Sequence, residues 1–157
     1  MHHKYEELIF IEKTLAIMIG IQGAGKTTFC KKYLSDYEYV NLDTLKSRDN
    51  EEKLVKKLFR EEKSFVVDNT NRLKFDRERY IPRAISKGYK IVAYYFEPDL
   101  KACLRRNRKR TRKVPENVIK EYRDILLNNR PTYDEGFDDI YIVINDDRDM
   151  SIQEYTL

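Results

Sequence analysis

Glycines at 20, 23 and 25, followed directly by Lys26, Thr27 and Thr28, stand where an apolar stretch gives way to an amphipathic one. Glycine lets a backbone curl so that successive N–H groups face a phosphate, and a helix opening behind such a loop adds its dipole. A lysine in that position neutralises the phosphate being transferred, and a threonine hydroxyl holds Mg²⁺. The stretch Gly20-Ile21-Gln22-Gly23-Ala24-Gly25-Lys26-Thr27 thus has every fixed position of a nucleotide-phosphate cradle. Gly23, Ala24, Gly25, Lys26, Thr27 and Thr28 are the expected nucleotide contacts, with ATP and Mg²⁺ as cofactors.

Phosphoryl transfer to an alcohol needs a carboxylate at the acceptor hydroxyl, ready to take its proton. Asp43 follows Tyr39-Val40-Asn41-Leu42 and Asp68 follows Phe65-Val66-Val67, so both end apolar runs. Asp68 suits a metal-side role, holding Mg²⁺ with Thr27, directly or through water, and Asp43 is then the better base. Either aspartate could instead only cap the segment after it.

Between Lys101 and Lys113 stand eight basic residues and no acid. The whole chain carries 31 basic against 27 acidic residues, a formal charge of +4, so without this run it would be acidic. A localised excess of this kind gathers polyanions, and its place between two helical patterns suits a lid over residues 105–115. An arginine closing over the nucleotide stabilises transition-state charge. Spacing alone leaves open which arginine that is, and the others could hold a nucleic-acid backbone without reading its sequence.

Short β-rich runs at Leu15–Ile19, Tyr37–Asn41, Phe65–Val67, Lys90–Phe96 and Ile140–Ile144 alternate with helical patterns at Lys26–Leu34, Asn50–Glu62, Leu73–Lys87, Asp99–Arg108 and Pro115–Asn128. That alternation reads as α/β, and with the phosphate cradle and so short a chain the economical reading is a single-domain P-loop kinase fold over 1–157. Its mostly parallel five-stranded sheet should be flanked by helices, with an N-terminal extension at 1–12 and a tail at 145–157. Helical crossovers gather the loops at the strands' C-terminal edge, where ligands bind in such folds.

The 157-residue length suits one domain, and 41% hydrophobic with 37% charged residues suits a soluble, highly charged exterior. Cys30 and Cys103 belong to no C-x-x-C pair, so neither a disulfide framework nor a zinc site is expected. The longest apolar run, Leu15–Ile21, is too short for a bilayer and follows no signal peptide, so no membrane association and a cytoplasmic location are expected. His2 and His3 are assigned no role.

Taken in order, these motifs resemble the kinase domain of polynucleotide 5′-hydroxyl kinases, over most of the chain. Gly20–Thr27 resembles the family's P-loop, and Val40-Asn41-Leu42-Asp43-Thr44-Leu45 resembles the segment carrying its general base. Val66-Val67-Asp68-Asn69-Thr70-Asn71 is similar to its Asp-x-Thr-Asn segment, and Arg106–Arg110 with Val114-Pro115 is similar to its lid. The resemblance implies Asp43 as the base for a 5′-OH, Arg110 as the lid arginine, and Lys26, Asp43 and Arg110 as the catalytic set. Lys46, Asp68 and Arg72 would bind the acceptor.

Two positions depart from the pattern. Lys46 stands where phage-type members have an arginine, keeping the charge without the bidentate fork. Leu42 replaces the arginine before the base, which leaves DNA versus RNA preference open. Pro131-Thr132-Tyr133-Asp134-Glu135-Gly136-Phe137 is similar to a segment of the animal enzymes and reads as a structural turn. The expected partner is nucleic acid with a 5′-OH end, and protein partners stay open, a separate ligase or 3′-end phosphatase being the candidates. Residues 145–157 are too few for a fused second activity, so a stand-alone kinase or an excised domain is expected. A small-molecule kinase, for a sugar, nucleoside or antibiotic hydroxyl, would use the same cradle and base, and a non-catalytic ATP-dependent nucleic-acid-binding module is the reading outside enzymology.

Overall fold

The computed structural model describes residues 12–155; His2 and His3 lie outside them. Its centre is β1 (Thr14–Ile19), a strand buried at every position, as expected of a parallel strand covered on both faces. The remaining strands are β2 (Glu38–Val40), β3 (Phe65–Val67), β4 (Lys90–Tyr95), β5 (Asp139–Asn145) and β6 (Met150–Glu154). They form one sheet in the order β2-β3-β1-β4-β5-β6. The first five run parallel, and β6 turns back antiparallel on β5.

The helices are α1 (Lys26–Tyr33), α2 (Leu42–Leu45), α3 (Arg48–Arg60), α4 (Lys74–Arg77), α5 (Ile81–Ser86), α6 (Leu100–Arg108) and α7 (Glu116–Leu127). Caps explain several starts. Ser47 accepts from the Asn50 N–H at the head of α3, and Asp99 accepts from the Ala102 N–H at the head of α6.

Three expectations need correction. Among the described residues the sheet has six strands, because Met150–Glu154, within the segment expected as a tail, pairs along β5. Its alternation of Met150 and Ile152 with Ser151 and Gln153 is a short period-2 pattern. The turn before it is closed by Asp146, whose carboxylate accepts from the Arg148 and Asp149 N–H groups. Leu73–Lys87 is two short helices, since Pro82 offers no N–H and its ring crowds the carbonyl four residues earlier. A four-residue helix, α2, also intervenes where none was expected.

The Pro131–Phe137 segment is a turn, as expected, but its carboxylate does structural work at a distance. Arg77 is fully buried and donates through Nε to Glu135 at 2.7 Å, through Nη1 to the Asn71 carbonyl at 2.9 Å and through Nη2 to the Asn129 carbonyl at 2.8 Å. It therefore ties the loop after β3 to the end of α7. Removing one partner of a buried pair leaves the other charge stranded, at a cost of about 3–5 kcal/mol. Glu135→Ala should accordingly lower the urea midpoint strongly, while Glu116→Gln, at the exposed Arg108–Glu116 pair, should leave it unchanged. Equal midpoints for the two variants in urea denaturation would contradict this role.

Candidate active site

Parallel pairing brings three loops to one edge of the sheet. Ile17 pairs with Val67, and Val67 with Val40, so the segments following β1, β2 and β3 leave side by side. They surround a cavity of about 530 Å³. Its lining includes Gly23, Gly25, Lys26, Thr27 and Thr28 from the cradle, Asp43 and Asp68 from the strand ends, and Arg110 and Arg112 from the basic loop. Six basic side chains (Lys26, Arg48, Arg72, Arg106, Arg110, Arg112) face three acidic ones (Asp43, Asp68, Asp76), which makes it a site for anions.

The cradle is held from outside. Gly23 and Gly25 have φ of 82° and 102°, the left-handed region where a side chain is strained. The Gly23 carbonyl accepts from Arg106 Nη1 at 3.1 Å, and the Ala24 carbonyl accepts from Asn145 Nδ2 at 3.0 Å. With those carbonyls engaged, the first N–H groups of α1, which have no partner within the helix, are left for a ligand. Ala24 itself is buried behind the loop, off the main cavity wall.

Lys26 Nζ donates to the Ile21 carbonyl at 3.0 Å. Burial in the cradle pulls its pKa below the usual lysine value; nearby Asp68 opposes this shift and Arg110 adds to it. An anion bound there would relieve the same penalty.

Asp68 is 2% exposed, and one of its oxygens accepts from the Thr27 hydroxyl at 2.8 Å and from the Tyr39 hydroxyl at 2.5 Å. Burial first, and then the Asp68 hydrogen bond and charge, push the Tyr39 pKa up, so the phenol stays a donor. The Thr27 hydroxyl and Asp68 carboxylate thus sit together where a hard cation would be held. No cluster of three or more metal-ligating side chains occurs among the described residues. One hydroxyl and one carboxylate side by side are hard oxygen donors that fit Mg²⁺, an ion that keeps several waters of its own.

Asp43 lies exposed on the cavity wall, within α2. Its segment is sewn to the loop after β3 by two hydrogen bonds: Asn41 Nδ2 to the Asp68 carbonyl at 2.6 Å, and the Leu42 N–H to Asn69 Oδ1 at 2.8 Å. Asn69 in turn donates to the buried Glu51 at 2.9 Å, and Glu51 also accepts from Tyr80 at 2.7 Å and from Arg48 at 2.9 Å.

The three residues expected to bind an acceptor, Lys46, Asp68 and Arg72, divide. Arg72 lines the cavity with its guanidinium carbon 3.8 Å from the Tyr122 ring centre, its Nε buried without a partner among the described residues. Lys46 is exposed at the end of α2 and outside the lining set, whereas Arg48 stands within it. Asp68 accepts from Thr27 of the cradle. Arg106 is read from the sequence only as part of the lid, and Arg48, Glu51, Tyr39 and Tyr122 escape the sequence reading. Only Glu51 leaves a trace there, as an acid at the i position of the apolar stripe Glu51, Val55, Leu58.

The loop in the segment expected as a lid is shorter than the basic run. Arg105, Arg106 and Arg108 belong to the last turns of α6, and the loop after them is pinched shut by reciprocal Asn107–Val114 hydrogen bonds at 2.8 and 3.0 Å. Arg110 and Arg112 reach the cavity from that loop.

A family model described as an AAA domain matches residues 46–126. The bifunctional polynucleotide phosphatase/kinase of Schizosaccharomyces pombe is 26% identical over 88% of the chain and 35% of that protein's length. The L-seryl-tRNA(Sec) kinase of Methanococcus maripaludis is 26% identical over 68% of the chain and 49% of its own length. The chain therefore spans about a third to a half of these curated relatives. Among solved structures, the PezAT toxin–antitoxin system of Streptococcus pneumoniae matches 90% of the chain and 71% of its own, with TM-score 0.65 and 18% identity. A gluconokinase from Sinorhizobium meliloti 1021 matches 85% and 83%, with TM-score 0.57 and 14% identity. These structural likenesses establish a P-loop NTPase fold. No helix among the described residues is long and apolar enough to cross a membrane.

A Cβ on Gly23 would stand 2.5 Å from the Cys103 carbonyl, whereas one on Gly88, also at positive φ, would meet nothing within 4 Å. Both Gly→Ala variants should lose about 1–2 kcal/mol from backbone strain. Gly23→Ala should in addition push the cradle off α6 and weaken binding of a non-hydrolysable ATP analogue at least about tenfold by calorimetry, a loss of ~1.4 kcal/mol. Equal affinity in the two variants would mean that this close packing does not shape the cradle.

Proposed function

We propose that this chain, which belongs to the AAA domain family of P-loop proteins, transfers the γ-phosphate of ATP to the 5′-hydroxyl of a DNA or RNA strand. The observation that carries the reading is Asp43, an exposed carboxylate sharing one cavity with the Lys26–Thr27 cradle and a majority of cationic side chains. A cradle, a carboxylate and an electropositive wall in one space are the parts that phosphoryl transfer to a polyanionic alcohol requires. The two curated relatives are named as a bifunctional polynucleotide phosphatase/kinase and an L-seryl-tRNA(Sec) kinase, and the first of these supports a polynucleotide acceptor.

The residues divide the work by position. Gly23, Gly25, Lys26, Thr27 and Thr28 bind the triphosphate, with Ala24 shaping the loop from behind. Asp43 accepts the proton of the acceptor hydroxyl as its oxygen attacks phosphorus, in line with departure of the ADP oxygen. Lys26 and Arg110 offset the charge spread over the phosphate oxygens. Thr27 and Asp68 would hold Mg²⁺, which when bound neutralises phosphate charge during the transfer. Arg48 and Arg72, both on the wall, grip the acceptor's next phosphate, and Lys46 adds only long-range charge from outside.

Replacing Asp43 by asparagine keeps the shape and removes the base. Asp43→Asn should reduce transfer to a 5′-OH oligonucleotide by about 10²–10⁴-fold in kcat, with the affinity for an ATP analogue within about twofold of wild type. Full transfer activity in the variant would remove Asp43 from the chemistry.

A further inference from the structure

We infer that Phe75 and Arg79 form a stacking rim for the nucleotide that follows the reacting 5′ end of a single-stranded acceptor, an inference that rests on the polynucleotide reading. Phe75 is 66% exposed, the highest value among the large hydrophobic side chains described. A single exposed apolar residue is ordinary on a protein surface. This one is set apart by what adjoins it.

Phe75 lies on α4, three residues after Arg72 and immediately before Asp76, both of which line the cavity. The Arg79 guanidinium is 5.5 Å from the Phe75 ring centre, and its Nε is 3.9 Å from the Asp76 carboxylate. Arg48 and Arg72 approach that same carboxylate at 3.8 and 3.9 Å. One side chain, Arg79, therefore joins the cavity wall to an aromatic ring outside it.

All three arginine contacts to Asp76 are too long for hydrogen bonds. Arg48 keeps its 2.9 Å pair with Glu51 through Nη1, and the three guanidinium groups around Asp76 still present free donors that a phosphodiester can use without breaking a well-made pair. A base laid on an exposed phenyl ring gains stacking energy whatever its identity, and an adjacent arginine adds a cation–π contribution. The geometry gives a strand leaving the cavity first cations for its phosphate and then a face for its next base. An acceptor small enough to fit within the cavity would not reach Phe75, so the rim favours polymeric acceptors over mononucleotides.

The test compares wild type, Phe75→Ala and Phe75→Trp. Anisotropy would measure binding of a fluorescent single-stranded 8-mer with a 5′-OH, and parallel assays would follow phosphate transfer from ATP to the 8-mer and to a nucleoside 3′-monophosphate. Phe75→Ala should weaken 8-mer binding and raise its KM about tenfold, leave the KM for ATP and the turnover of the monophosphate unchanged, and be rescued by Phe75→Trp. Equal 8-mer binding by wild type and Phe75→Ala, or equal losses on both acceptors, would overturn the rim. If wild type binds the 8-mer without transferring phosphate and Phe75→Ala weakens that binding, the rim stands and the kinase reading falls. If wild type does not bind the 8-mer, the rim falls.

Discussion

The hydrogen bond from the Thr27 hydroxyl to the Asp68 carboxylate joins residues 41 positions apart, and it exists because β1 and β3 are parallel neighbours. Parallel pairing obliges both strands to deliver their following loops to the same edge of the sheet. Those loops are locked together there by the Gly20 N–H, which donates to the Thr70 carbonyl at 3.0 Å, and by the Asp68 N–H, which donates to the Val40 carbonyl at 2.8 Å. The cradle, Asp68 and the segment carrying Asp43 thus keep fixed spacings. The polar groups buried at this edge are costly unless paired, and the paired network is what makes the edge rigid.

Around this centre lie two braces that share no residues with the cradle. Glu51 gathers Arg48, Asn69 and Tyr80, holding the loop after β3 against α3. Arg77 fastens the other end of that loop to the turn before β5. The loop they hold at Asn69 and Asn71 is flanked by Asp68 and Arg72, so its backbone is set at two points while the Arg72 Nε stays without a partner among the described residues. Across the cavity, Arg110 and Arg112 stand on a loop closed at its base and exposed at its tip.

The parts legible in the sequence were those in which chemistry and local pattern coincide. Glycine spacing before Lys26 could mean little besides a phosphate loop, and aspartates ending apolar strands had to reach the ligand edge once the sheet was parallel. The braces were illegible because they depend on contacts between distant segments: Glu135 meets Arg77 across 58 positions, and no periodicity encodes that pairing. Arg48 replaced Lys46 on the cavity wall because α2 ends with Lys46 in a left-handed turn, φ 75°, a backbone change that sequence spacing does not reveal. The sixth strand was missed since a five-residue, mostly exposed hairpin partner carries too weak a hydrophobic pattern to stand out.

The most direct test of the central claim is to follow the terminal phosphate of labelled ATP, with Mg²⁺, offered to DNA and RNA oligonucleotides bearing a 5′-OH, to the same strands bearing a 5′-phosphate, and to a free sugar acid. Label appearing at the 5′ ends of the hydroxyl-bearing strands alone is the expected result. Label on the sugar acid, or inorganic phosphate released with every strand unlabelled, would contradict a polynucleotide kinase.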